Sequence, residues 1–171
     1  MRQMVCVMVA VAANVAMLSG VWADEEKIPL DKLPKAVVEA VKKRFPKAEM
    51  KEASKEVEDG KTTYEVTVVD DKQNIDVTLT PEGALVSIEK EIAVKDLPKV
   101  IADAVMAKYP KGKMTKAEEV IKVKDGKETL EYYEVILTDG DKKDIEVQIF
   151  PDGKIKAEEK KPEEKKPETK K

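Results

Sequence analysis

The sequence predicts an α+β protein built from two tandem repeats, each with one helix followed by four antiparallel strands. Residues 33–47 return 64 positions later as residues 97–111, with Leu-Pro at the start and an aromatic residue followed by proline near the end. Further signatures recur downstream: Tyr64-Glu65-Val66 with Tyr133-Glu134-Val135, and Pro81-Glu82-Gly83 with Pro151-Asp152-Gly153. Within each copy the apolar period also changes from about 3.6 to 2 residues. A repeat of this length with matching signals indicates a duplicated structural unit.

Residues 1–23 have the features of a secretory signal peptide. Arg2 supplies a positive charge, an apolar run follows from Met4 to Leu18, and Val21-Trp22-Ala23 suits a cleavage site. The apolar run is shorter than the roughly 20 residues that a membrane-spanning helix needs. We therefore expect cleavage before Asp24, a periplasmic or secreted mature protein, and no membrane span after cleavage.

Each repeat then begins with a predicted helix. Pro34 and Pro98 suit the first helical turn, where the missing N–H removes no intrahelical hydrogen bond. Apolar residues recur every four positions, namely Val37, Val41 and Phe45 in the first copy and Ile101, Val105 and Tyr109 in the second. Pro46 and Pro110 end the helices. We expect the apolar stripe to pack against a sheet.

Four strands are predicted after each helix. The two central strands of each copy alternate apolar and polar residues, as strands with one face in a core do. A weaker strand precedes each pair, around 50–57 and 114–123, and a short one follows, around 85–88 and 155–157. Because almost no linker separates the copies, we expect the sheets to lie side by side as one curved sheet. Both helices would cover one face and leave the other open.

These elements define four segments. They are a signal peptide at 1–23, a first repeat at 28–92, a second repeat at 93–157, and a tail at 158–171. The tail contains almost only Lys, Glu and Pro. It cannot bury enough apolar surface to offset chain entropy, so we expect it to be disordered.

The composition excludes several kinds of chemistry. Without residues 1–23 the chain has no His and no Cys, which removes the usual general base, thiol nucleophile and zinc ligands. Its 31 basic residues (32 minus Arg2) against 35 acidic ones argue against nucleic acid. Carboxylates are abundant, but Glu65, Asp76, Glu134 and Glu146 are expected on a solvated face. We predict no enzyme activity, no catalytic residue, no cofactor and no metal site.

The repeated residues resemble the PepSY-like domains, which are also described as β-lactamase-inhibitor-like. The resemblance rests on Leu-Pro, an amphipathic helix, an aromatic-Pro break, a Tyr-Glu-Val strand and an acidic-Gly turn, and it covers nearly all of 28–160 in two copies. It implies a small extracytoplasmic module, often tandem, that binds or inhibits other proteins, peptidases among them. The chain differs from the β-lactamase inhibitor protein in its lack of cysteines and its few aromatic residues.

A partner-binding surface is predicted on the open sheet face. Its large apolar residues are Tyr132, Ile136 and Phe150 in the second repeat and Val69 in the first. The alternative is that these side chains shield one another, or are covered by the tail or the other repeat. We expect a non-catalytic module that binds an extracytoplasmic protein, such as a peptidase or another hydrolase. The alternative function is a structural envelope protein that contacts wall polymer through its charged tail.

Overall fold

A computed structural model describes residues 26–140 and 143–160 of the chain. The predicted signal peptide and residues 161–171 of the predicted tail lie outside this range. The described residues form nine strands, β1 to β9, which lie in one antiparallel sheet in the order of the sequence. The strands are Glu26–Lys27, Glu49–Glu58, Lys61–Asp70, Gln73–Leu79, Leu85–Ile92, Lys113–Lys124, Lys127–Thr138, Asp144–Ile149 and Ile155–Lys160. Two helices, α1 at Lys35–Arg44 and α2 at Lys99–Lys108, precede β2 and β6.

Both helices form where the sequence predicts them. Pro34 and Pro98 lie one residue before the first helical residue, in an extended backbone conformation, after a short 3₁₀ turn. The apolar stripe of each helix is buried: Val37 and Val41 of α1, and Ile101 and Val105 of α2, have 1% exposure or less. The strands supply the opposing apolar surface from alternate positions, including Val66, Val77, Val135 and Val147.

The two repeats share one continuous sheet because β5 pairs directly with β6. Ile88 lies opposite Ile121, and Ile92 lies opposite Ala117. Ile88 belongs to the core under α1, whereas Ile92 packs against the core under α2. Since residues four apart on a strand point to the same side, both helices cover the same face of the sheet. The predicted α+β fold with two joined repeats is confirmed.

The last strand of each repeat is longer than the sequence predicts. β5 continues from Leu85 to Ile92, and β9 continues from Ile155 to Lys160. Three residues of the predicted tail therefore belong to the sheet. They are held there because Glu158 pairs with Val147 in the register of β8 and forms an ion pair with Lys108 of α2.

The two hydrophobic cores interlock across the junction. Ile121 and Val123, on β6 of the second repeat, pack against the core under α1. Arg44, at the end of α1, donates hydrogen bonds to both carboxylate oxygens of Glu128 on β7, with N–O distances of 3.0–3.3 Å. The first helix thus rests partly on the β6–β7 hairpin of the second repeat.

The face of the sheet opposite the helices, which we call the open face, is concave. Lys116 of β6 lines a cavity of about 470 Å³ together with Ser54 of β2 and Thr67 of β3. In a flat sheet β2 and β6 would be about 19 Å apart, since neighbouring strands are separated by about 4.8 Å. Only a curled sheet brings these residues around one cavity.

The edge strand β1 pairs with β2 in the same register in which the end of β5 pairs with β6. β1 pairs with β2 through Glu26 opposite Lys55 and Lys27 opposite Ser54. Adding 64 to each number gives Lys90 opposite Glu119 and Glu91 opposite Glu118, which are pairs between β5 and β6. β1 therefore occupies the position on the first repeat that the end of β5 occupies on the second.

Candidate functional site on the open sheet face

The predicted binding residues all lie on the open side of the sheet but do not form one patch. Tyr132 and Ile136 are half-buried on β7, and Phe150, just after β8, is 39% exposed. Glu134 separates Tyr132 from Ile136 along the strand. Val69 is on β3, four strands from β7. Since neighbouring strands are about 4.8 Å apart, β3 and β7 are separated by about 19 Å along the sheet. Whether these residues bind a partner remains a prediction.

Tyr132 is partly covered by neighbouring strands. The ammonium nitrogen of Lys156, on β9, lies 3.6 Å from the centroid of its ring, a cation–π contact. Val120 of β6 lies directly opposite and is only 2% exposed. Burial, together with the charges of Glu89 and Glu134, raises the pKa of the Tyr132 hydroxyl. Tyr132 is therefore a neutral, preformed part of the face.

Acidic side chains occupy the centre of the open face. Five of them, which we call the carboxyl cluster, come from five consecutive strands: Asp76, Glu89, Glu118, Glu134 and Glu146. Asp76 lies opposite Glu89, and Glu118 lies opposite Glu134. Like charges at directly opposite positions of adjacent strands repel each other. The cluster is thus stable only if protons or a nearby cation reduce its charge.

Lys116 supplies part of that compensation. Its ammonium lies 2.9 Å from a carboxylate oxygen of Glu118, which is itself 4% exposed. Burial alone would lower the pKa of Lys116, but the hydrogen bond and charge of Glu118 outweigh it, so that the pKa is raised. Asp76 has a less favourable environment, because its Oδ1 is buried without a hydrogen-bond partner among the described residues.

Burial favours the neutral form of two other carboxyls in the cluster. Burial and the charges of Glu118 and Asp76 raise the pKa of Glu89 to about 7. Burial, the charges of Glu146 and Glu89, and a hydrogen bond with Glu146 raise the pKa of Glu134 to about 8. Glu134 also accepts a hydrogen bond of 3.5 Å from the side-chain amide of Gln148.

Two open cavities of about 470 Å³ each lie beside residues that contact or face the cluster. One cavity is lined by Lys116 and Ser54, and the other by Glu91 and Gln73. Among the described residues, no group of three or more acidic side chains has its oxygens placed to hold a metal ion.

Sequence reasoning placed Asp76, Glu134 and Glu146 on this face but expected all of them to be solvated. That expectation is wrong, because all three are half-buried and Oδ1 of Asp76 is buried completely. It overlooked four further residues of the face: Glu89, Lys116, Glu118 and Val120. Strand alternation could have placed these residues on the open face, but their burial depends on the curl of the sheet.

The fold and the open face define a tandem module in which each helix packs on four strands. The family described as "Putative beta-lactamase-inhibitor-like, PepSY-like" matches residues 17–87 and 72–156. The chain belongs to this PepSY-like family, as the resemblance predicted. No curated protein matches the sequence.

Several solved structures from Bacteroides species have the same fold. One from Bacteroides eggerthii, titled a putative periplasmic protein, has a TM-score of 0.59 and 16% identity over 74% of this chain and 88% of that chain. A DUF2874 family protein from Bacteroides uniformis gives the same values. A BLIP-like protein from Bacteroides fragilis has a TM-score of 0.53 and 18% identity, covering 73% of this chain and 84% of the other. In the described part of this chain, neither helix has the length and hydrophobicity to cross a bilayer.

Proposed function

We propose that this protein is a non-catalytic module of the periplasm or cell exterior that binds another extracytoplasmic protein through its open face. Membership of the PepSY-like family supports a module of this kind. The signal-like N-terminus and the periplasmic description of the Bacteroides eggerthii protein support the location.

The concave face of the nine-stranded sheet, on the side away from the two helices, is the observation that carries this proposal. The helices seal the opposite face, so the open face is the broad surface left for a partner. It presents the half-buried Tyr132 and Ile136 and the exposed Phe150 beside a charged centre. Interfaces often combine aromatic anchors of this kind with polar surroundings. A peptidase or another hydrolase is the partner class that we propose.

Capture from the extracytoplasmic fraction of the native organism tests the proposal. The mature chain would be immobilised, and captured proteins would be identified and assayed for hydrolase activity with and without added protein. The double variant Ile136→Asp, Phe150→Asp should reduce capture of a specific partner at least tenfold, because it places charge at both apolar contacts.

The control is Met106→Asp on α2. Met106 is 37% exposed, close to the 39% of Phe150, but it lies on the helical side of the molecule. Equal capture by the double variant and the control, with circular dichroism showing that both fold, would contradict the proposal. Loss of capture only on deletion of residues 161–171 would favour the envelope function of the tail instead.

A further inference from the structure

We propose that the carboxyl cluster is a pH-sensitive brace at the junction of the two repeats: its directly opposed acidic side chains pack together when some of them are protonated and repel one another when all are ionised. Strands β5 to β8 would be held firmly at mildly acidic pH and more loosely at alkaline pH. The brace lies on the face that we propose binds a partner, but it does not depend on that partner.

The register of strands β4 to β7 brings acidic side chains together. Across β4–β5, β5–β6 and β6–β7, acidic residues lie directly opposite one another: Asp76 and Glu89, Glu91 and Glu118, Glu118 and Glu134. Glu91 accepts a hydrogen bond of 2.9 Å from the amide of Asn74, which holds its carboxylate in place. Full ionisation would therefore set like charges against each other along the line where the repeats join.

The charges around the cluster do not balance it. Charged and titratable residues lie on the open side of the cluster's own strands and of the neighbouring ones. They are Glu65 on β3, Asp76 on β4, Glu89 and Glu91 on β5, Lys113, Lys116, Glu118, Lys122 and Lys124 on β6, Lys127, Glu131, Tyr132 and Glu134 on β7, Asp144 and Glu146 on β8, and Lys156 and Glu159 on β9. Lys27 and Glu52 line the cavity beside Lys116. Lys122 forms its ion pair with Glu131, at 3.6 Å, and Lys156 lies over the ring of Tyr132. Lys116 is the cation placed against the cluster itself.

The first repeat provides an internal comparison. Glu65 of β3 occupies the position that Glu134 occupies in the second repeat, since each is the glutamate of a Tyr-Glu-Val strand. The residues opposite Glu65 are Ser54 and Thr78, whereas those opposite Glu134 are Glu118 and Gln148. The acidic pairing thus runs from β4 across the junction to β7 and does not include β2 and β3, which should not respond to pH in the same way.

The direction of the pH effect follows from proton binding. In an unfolded chain glutamate has a pKa of about 4.3, whereas in the folded protein the pKa of Glu89 is about 7 and that of Glu134 about 8. Between these values the folded state binds more protons than the unfolded state. The free energy of unfolding is therefore greatest at pH values near the unfolded pKa. It falls as the pH rises through the pKa values of the folded protein.

Thermal unfolding of the mature chain between pH 5.5 and pH 8.5 tests the brace. The melting temperature should fall by about 5 °C over this range, which corresponds to a moderate loss of stability for a domain of this size. Glu134→Gln should reduce that fall by at least half, because an amide cannot acquire charge. Glu58→Gln, which makes the same change at the exposed end of β2, should leave the fall as it is in the parent protein.

Hydrogen exchange, scaled for the intrinsic pH dependence of amide exchange, locates the effect. Protection of β6 and β7 should decrease at pH 8.5 relative to protection of β2 and β3. A melting temperature that does not fall, an equal fall in all three proteins, or uniform loss of protection would overturn the proposal. If Glu134→Gln fails to fold, carbon-13 titration of the parent protein decides: two glutamate carboxyls titrating above pH 6 support the brace, and completion of all carboxyl titrations below pH 5.5 refutes it.

Discussion

At the scale of single residues, Gly83 shows how a turn is fitted to a helix. It has a φ of +83°, a conformation that L-residues with a side chain rarely adopt. A Cβ atom built there would lie 2.5 Å from the carbonyl oxygen of Ala36 in α1. The turn before β5 therefore packs so closely on the helix that it leaves no room for a methyl group.

Gly83→Ala should consequently destabilise the protein by about 3 kcal/mol, from backbone strain and displacement of α1. Gly60 is the matched control, because it has a φ of +73° but nothing within 4 Å of the position of its Cβ. Gly60→Ala should cost only about 1 kcal/mol. Urea unfolding of both variants measures the difference, and equal losses would show that the contact with Ala36 contributes nothing.

For single residues, the sequence predicted the face of the sheet on which a side chain lies better than it predicted the contacts and burial of that side chain. Alternation placed Tyr132, Ile136 and Phe150 on the open side of the sheet, and the structure agrees. It could not show that Lys156 covers the ring of Tyr132 or that Glu118 is 4% exposed. Both facts depend on contacts between strands that are distant in sequence, whereas periodicity reports only on neighbours.

At the scale of elements, the β6–β7 hairpin is the main link between the repeats. Ile121 occupies the same position in the second repeat as Val57 in the first, since the two are 64 residues apart in corresponding strands. Ile121 packs against the core under α1, whereas Val57 belongs to neither hydrophobic core of the described residues and is 42% exposed. Equivalent positions of the two repeats therefore differ in burial and in how much they contribute to stability.

This difference predicts the outcome of two truncations. Ile121→Ala should lower the free energy of unfolding by about 1–2 kcal/mol, because it removes apolar contacts from the first core. Val57→Ala should change it by about 0.5 kcal/mol or less, as surface substitutions usually do. Chemical denaturation compares the two; a similar loss in both variants would mean that the hairpin does not stabilise the first repeat.

The elements themselves were largely predictable. Alternating Val, Ile and Tyr residues located the central strands, and the prolines located the helices. The second half of β5 was missed because Glu89-Lys90-Glu91 has no apolar residue to reveal a strand. These residues are ordered by pairing with β4 and β6 on both sides, which is a property of the assembled sheet.

At the scale of the whole molecule, residues of each repeat pack against the hydrophobic core of the other. Ile121 and Val123 of the second repeat pack on the first core, while Ile92 of the first packs on the second. Each repeat is about 65 residues long, a size at which a single domain buries a smaller fraction of its surface than a larger domain does. Neither repeat is complete without the other.

Unfolding should therefore occur in a single transition for both repeats. Tyrosine fluorescence and far-ultraviolet circular dichroism should give the same urea midpoint, and Ile121→Ala should shift both signals together. Two separate transitions, or loss of protection in the first repeat alone under native-state hydrogen exchange, would contradict this.

The pairing of β1 with β2 has the same register as the pairing of β5 with β6, which allows the sheet to be extended by whole units. Because β1 meets β2 as the end of β5 meets β6, every unit offers the same receiving edge, whether its neighbour is two residues or a whole repeat. The protein is in effect a short segment of a linear array, in which each unit contacts only the next. An additional unit inserted at the junction would need no new kind of contact, so internal duplication provides this architecture with a direct route to longer, more strongly curved sheets.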